Sequence, residues 1–180
     1  MLGSFAEPEK NIEHFELQPG FSVADFGAGT GVYSLISARR VGSSGHVYAI
    51  EVQKELLERL KAEAKDRRVA NLDVVWGDLD TLGGSGLKDA SMDAVILSNI
   101  LFQSDNRAAM IGEVSRVLKP GGKALFIDWL DSFGNLGPLA SQVISEPSAR
   151  KLFEGAGMKV QPMFSAGAHH YGFVAHKIEA

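Results

Sequence analysis

Three glycines alternate along Gly27-Ala28-Gly29-Thr30-Gly31, with the carboxylate of Asp25 two positions before them and that of Glu51 twenty residues after. Glycine has no Cβ, so it accepts positive φ and lets a ligand lie directly against the backbone. The residues that follow, Val32-Tyr33-Ser34-Leu35-Ile36-Ser37-Ala38, read as a helix. The first amides of a helix lack intrahelical partners and carry positive potential. A carboxylate closing the neighbouring strand grips two ribose hydroxyls in dinucleotide-binding folds. Together these residues can hold a nucleoside-bearing cofactor.

The spacing narrows the choice of cofactor. A dinucleotide fingerprint wants G-x-G-x-x-G/A, but the sixth position is Val32 counted from Gly27 and Ser34 counted from Gly29. No G-x-x-x-x-G-K-[ST] occurs, which excludes a Walker loop. Asp128, His14, His169 and His170 are the candidate bases should a reaction require proton removal. His169-His170 have no acidic or cysteine partner at helpful spacing, so no metal site is expected, and a plain strand-edge role stays open for both. Asp25 could equally brace the loop, and Ser98-Asn99 could be a helix cap.

The elements that must position these residues alternate between strand-like and helix-like segments, the pattern of a parallel α/β sheet. Strands are expected over 22–26, 46–51, 72–76, 92–97, 123–129, 159–164 and 170–176. Helices are expected over 32–40 and 54–67, where Leu56, Leu57, Leu60 and Ala64 form one stripe. Another is capped near Asp105, carries Met110, Ile111, Val114, Val117 and Leu118 inward, and is ended by Pro120-Gly121-Gly122. Ser145 caps a last helix with Pro147 in its first turn. An amphipathic piece over 8–17 precedes the first strand. The glycine-rich loop over 81–90 reads as mobile, and 130–145 as a loop or short irregular helix over the strand ends.

Asp25-Phe26-Gly27-Ala28-Gly29-Thr30-Gly31, the strand end at Glu51, Trp76-Gly77-Asp78, and Arg116-Val117-Leu118-Lys119-Pro120-Gly121-Gly122 occur in that order. Together they resemble the class I S-adenosylmethionine-dependent methyltransferases, of the small type similar to the ubiquinone/menaquinone methyltransferases, from about Pro19 onward. The resemblance implies a single Rossmann-like domain over 1–180, with residues 1–18 covering the cofactor. It implies a seven-stranded, mostly parallel sheet in the order 3-2-1-4-5-7-6, the last strand antiparallel, with helices on both faces. S-adenosylmethionine becomes the expected cofactor and S-adenosylhomocysteine its product. Gly27, Ala28, Gly29 and Gly31 would pass under the methionine and ribose. Asp25 would orient the ammonium, Glu51 would hold the ribose, and Val52 would pack on adenine. Asp78 would accept from the adenine amino group, Leu79 would offer its amide, and Ser98 and Asn99 would flank the methionine arm.

The expected activity is methyl transfer to a small molecule, mainly by proximity and orientation. A cofactor-binding module without catalysis is the alternative, with an NAD-linked oxidoreductase behind it. No D/N-P-P-Y follows the fourth strand, where Ser98-Asn99-Ile100-Leu101 stands instead, which disfavours adenine and glutamine amino groups as acceptors. Phe5, Phe102, Trp129, Phe133, Leu136 and Tyr171 are the expected walls of the acceptor pocket. The chain holds no cysteine, so disulfides and thiol chemistry are excluded, including the thiol-held arsenic of related arsenite methyltransferases. A net charge of −4 gives no footprint for nucleic acid, so no such partner is expected. No apolar run reaches the ~20 residues of a membrane span. A cytoplasmic monomer or homodimer is expected.

Overall fold

The computed structural model describes residues 6–134 and 136–179. The chain opens with helix α1 (Pro8–Phe15) and then alternates β1 (Ser22–Phe26), α2 (Val32–Val41), β2 (His46–Glu51), α3 (Lys54–Asp66) and β3 (Leu72–Trp76). After β4 (Met92–Ser98) a 3₁₀ turn (Leu101–Gln103) leads into α4 (Arg107–Val117) and β5 (Leu118–Trp129). Helix α5 (Glu146–Gly155) and strands β6 (Met158–Val160), β7 (Phe164–Gly167) and β8 (His170–Lys177) complete it.

The strands form one sheet in the order β3-β2-β1-β4-β5-β8-β6. β1 to β5 are parallel and β8 runs antiparallel to β5. Period-two alternation sends successive strand residues to opposite faces. Ala24, Phe26, Val95, Leu97 and Phe126 join α4 and α5, whereas Val23, Ala94, Ile96, Leu125 and Ile127 join α1, α2 and α3. Strands covered on both faces need continuous apolar runs, and Ala94 to Leu97 are all fully buried. Because β1 lies between β2 and β4, the strand order reverses there, and a crevice opens beyond the strand ends.

Four local expectations change. The outer position of the sheet is shared by β6 and β7, both paired to β8, rather than filled by one strand over 159–164. Pro162 lies between them, and a residue without an N–H interrupts a ladder. The cap of α4 is Asn106, whose side chain accepts from the Ala109 amide at 3.2 Å, while the Asp105 amide is taken by Asp80. That helix stops at Val117; Leu118 already pairs with Met92, and a bulge absorbs Lys119 to Gly122 before the next pair, Ala94 with Lys123. The glycine-rich loop after β3 is tied to α4 rather than loose, because Glu113 accepts from the amides of Gly83 and Ser85. Ser145 caps α5 as expected, accepting from the Ser148 amide at 3.4 Å.

Candidate active site

The carboxyl ends of β1, β2, β3 and β4 converge on one cavity of about 570 Å³. Asp25, Gly27, Ala28, Gly29, Glu51, Val52, Asp78, Leu79, Ser98 and Asn99 all line it. Of the residues assigned to the cofactor from the sequence, Gly31 alone is absent from its walls. It is the N-cap of α2, with φ +78°, and a Cβ there would stand 2.1 Å from Leu60 Cδ1. Its role is to let α2 and α3 approach. Gly29 differs, since its added Cβ would meet only the Gly27 carbonyl at 3.9 Å, which leaves its backbone open on the cavity side.

Glu51 organises the loop from the neighbouring strand. Its Oε2 accepts from the Gly29 amide at 3.0 Å, and its Oε1 accepts from the Val52 and Gln53 amides, each at 2.9 Å. A carboxylate offers about four lone-pair sites, so acceptor capacity remains for hydroxyls. Asp25 ties the end of β1 to α2 and lines the cavity at once: it accepts from Ser34 Oγ at 2.6 Å. Burial pushes its carboxyl up to about 6, opposed by the Ser34 bonds and reinforced by the nearby Glu51 charge. Asn99 has φ +56°, and its Oδ1 is buried with no hydrogen-bond partner among the described residues. An unpartnered buried acceptor on the cavity wall fits a ligand that brings a donor, as an ammonium does. Asp78 holds the Asp80 amide at 3.1 Å, and Trp76 anchors the same corner by donating to the Val52 carbonyl at 3.0 Å.

Tyr33 also lines the cavity, and sequence reasoning missed it. Asn11 of α1, itself buried, donates to Tyr33 Oη at 3.1 Å and to the Ala166 carbonyl at 3.0 Å. A carbonyl only accepts, so Ala166 fixes the orientation of the Asn11 amide and makes Tyr33 an acceptor toward it. The phenol proton is then left to point elsewhere, with the Ser98 hydroxyl beside it. Burial raises the Tyr33 hydroxyl above its ordinary range, opposed by Asn11 and Ser98, with Asp25 adding to the rise. The available signal was a polar-tipped aromatic in the first helical turn after the glycine loop.

None of the four candidate bases lines the cavity. His14 stacks on Phe164 with ring centroids 4.1 Å apart. His169 stacks on Phe133 and pairs with Asp131 at 2.9 Å. His170 is buried against the Trp129 ring, 4.4 Å between centroids. Asp128 is fully buried; its Oδ1 accepts from the Trp129 amide at 2.8 Å, and Oδ2 meets no donor in hydrogen-bonding geometry among the described residues. Burial pushes this carboxyl up to about 7, against the pull of the Trp129 and Phe102 amides and of Arg107.

The expected acceptor walls do not assemble there either. Tyr171 is core, its hydroxyl donating to the Ile144 carbonyl at 2.7 Å, and Trp129 is buried beneath Gly137. Phe102 packs on the core, while Phe133 and Leu136 are exposed on the loop after β5. Phe5 lies outside the described residues. Ile100, Gln103, Ser104 and Met110, from the segment after β4, complete the cavity instead. Among the described residues no cluster of metal-ligating side chains occurs, and no helix is long and apolar enough to cross a membrane.

Residues 17–165 match the family described as a methyltransferase domain. The chain is 27% identical over 120 residues to a demethylmenaquinone methyltransferase of Geobacillus sp. (strain WCH70), covering 67% of this chain and 50% of that protein. It is 32% identical over 121 residues to a 2-phytyl-1,4-naphtoquinone methyltransferase of Nostoc punctiforme, covering 67% of this chain and 52% of that one. The chain thus spans about half the length of these relatives. The crystal structure of a SAM-dependent methyltransferase from Aquifex aeolicus superposes with a TM-score of 0.87 at 27% identity, covering 97% of this chain and 91% of that one.

Proposed function

The chain belongs to the methyltransferase-domain family, and from that premise we propose that it moves a methyl group from S-adenosylmethionine to a small-molecule acceptor. The observation that carries this reading is the meeting of Asp25, Gly29, Glu51, Asp78 and Asn99, drawn from the ends of four strands, on one cavity. Glu51 would accept from the ribose hydroxyls while it holds the glycine loop. Val52, half exposed at the rim, would lie against adenine, with Asp78 accepting from its amino group and the Leu79 amide donating. Asp25 and Asn99 Oδ1 supply acceptors for the methionyl ammonium, and the Tyr33 hydroxyl supplies a donor for its carboxylate.

When bound, the cofactor supplies an electrophilic sulfonium methyl, so the protein has to bind, align and exclude water. Alignment of two bound reactants can lower a barrier by ~7–11 kcal/mol. With the candidate bases outside the cavity, this proximity is the contribution assigned to the chain. The similarity to quinone methyltransferases and the apolar Ile100 and Met110 walls favour a small planar or apolar acceptor.

The test is incubation with methyl-labelled S-adenosylmethionine and a panel of quinols, phenols and amines. Label appearing in one acceptor class supports the assignment. Tight binding of S-adenosylhomocysteine without transfer to any acceptor would favour a binding module, and NADH binding without sulfonium affinity would overturn the cofactor.

A further inference from the structure

Between β3 and β4 the chain runs alongside α4 and is fastened to it repeatedly. Asp80 accepts from the Ser104 hydroxyl and from the Asp105 amide just before the helix. Further along, Glu113 Oε2 accepts from the Gly83 amide at 2.7 Å, and its Oε1 accepts from the Ser85 amide at 3.1 Å and from the Ser85 hydroxyl. Arg116, one turn on, donates to the Leu87 carbonyl at 2.8 Å and to Asp89. It also grips Glu113 through two bonds, Nε to Oε2 at 2.8 Å and Nη2 to Oε1 at 2.7 Å.

Glu113 is fully buried and does not line the cavity at the strand ends. Burial alone would raise its carboxyl, but Arg116, the Ser85 hydroxyl and the two loop amides together hold it down at about 2. A buried carboxylate is tolerated only when paired and hydrogen-bonded, and here both oxygens are committed. The consequence falls on Gly84, which lies between the two anchored residues. A Cβ on Gly84 would stand 1.7 Å from the Asp78 carbonyl oxygen, and a Cβ on Gly77 would stand 2.7 Å from the Gly84 carbonyl oxygen. Bonds on either side of Gly84 therefore hold its backbone directly against the peptide that carries Asp78.

We propose that Glu113 and Arg116 are positioning residues for base recognition, setting through Gly84 the place of the Asp78 carboxylate and with it the preference for adenine. This rests on the cofactor reading above, in which Asp78 accepts from the adenine amino group. The pair acts from behind the cavity wall, so its effect concerns which base is accepted as well as how well the domain holds together.

Calorimetry with S-adenosylhomocysteine and S-inosylhomocysteine, which carries an oxo group in place of the amino group, reads that preference. The wild-type protein should favour the adenine ligand by roughly 10–150-fold, the range of one hydrogen bond to a charged acceptor. Glu113→Gln turns an amide N–H toward loop donors and should cut the ratio by roughly tenfold. Gly84→Ala pushes on Asp78 without touching α4 and should do the same. The ratio is the decisive readout, since a general loosening would weaken both ligands together. Should Glu113→Gln fail to fold, Gly84→Ala decides alone. Wild-type protein that prefers adenine while the folded variants keep its full ratio overturns this inference alone, as does wild-type protein that binds both ligands equally. Wild-type protein that binds neither removes the cofactor reading and this inference with it.

Discussion

The Gly29 amide donates to Glu51 Oε2 at 3.0 Å, so the acid that closes β2 and the middle glycine of the β1 loop form one assembly. Replacing Glu51 with alanine removes the acceptor of three amides, those of Gly29, Val52 and Gln53, as well as the proposed ribose contact. The expected loss in S-adenosylhomocysteine affinity is roughly 1.5–3 kcal/mol, with a lowered melting midpoint. 5′-Methylthioadenosine, which keeps the ribose and lacks the amino-acid end, should lose as much. Calorimetry with both ligands checks this; a loss confined to S-adenosylhomocysteine would move Glu51 away from the sugar.

Asp25 should make binding depend on pH. Its carboxyl is pushed up to about 6 by burial, so below that value it carries a proton and cannot pair with an ammonium. Binding a cation favours the ionised form, so affinity for S-adenosylhomocysteine should rise with pH up to about 6 and then level off. Asp25→Asn should flatten the profile and leave 5′-methylthioadenosine untouched. For stability the sign is opposite. The folded carboxyl holds its proton where the unfolded one has lost it, so stability present below 3.8 is lost as pH rises through about 6.

Tyr33→Phe tests the polarity that Asn11 imposes. Asn11 is buried, and phenylalanine leaves one of its N–H bonds without an acceptor, a cost of about 1–3 kcal/mol in stability. The cavity also loses a donor to a charged carboxylate, so S-adenosylhomocysteine should bind more weakly by about 1.5–3 kcal/mol. The comparison with 5′-methylthioadenosine, which has no carboxylate, separates the two effects: its affinity should hold.

What the sequence disclosed, and what it hid, follows from how far each determinant reaches. Gly27, Glu51 and Asp78 were legible because a strand end, a turn and a helix start are short-range patterns whose order fixes their place in a parallel sheet. Gly31 sits in the same pattern, but its constraint is Leu60 on another helix, a contact no local spacing reports. Glu113 read as an ordinary helix position, since its loop partners lie 28 and 30 residues away. Gly83, Gly84 and Gly86 suggested mobility, yet a glycine also permits the close backbone approach that a buried anchor exploits. Asn11 reaches Ala166, 155 positions along the chain, and only the folded sheet brings α1 and β7 together. The histidines stayed open between two roles for a related reason. Their placement at the start of β8 was readable, but a strand residue's face depends on register, and register here set His170 against Trp129.

Asp128 is the remaining acid whose behaviour can be foretold. It ends the apolar stretch of β5, is fully buried, and does not line the cavity at the strand ends, so its ionisation is expected to act on stability. Burial pushes its carboxyl up to about 7 from an ordinary 3.8. Between those values the native state holds a proton that the unfolded chain has released. Stability fully present below 3.8 is therefore lost as pH rises through about 7. Asparagine has the same shape and never ionises, so Asp128→Asn should raise the melting midpoint relative to wild type, by an amount that grows between pH 5 and pH 8. Its side chain can still accept from the Trp129 amide, so the local backbone should hold. Thermal melts across that range, with methyl transfer measured alongside, decide the matter. A midpoint difference independent of pH would mean that Asp128 ionises as freely in the fold as out of it, and a collapse of transfer with intact cofactor binding would return it to the list of catalytic groups.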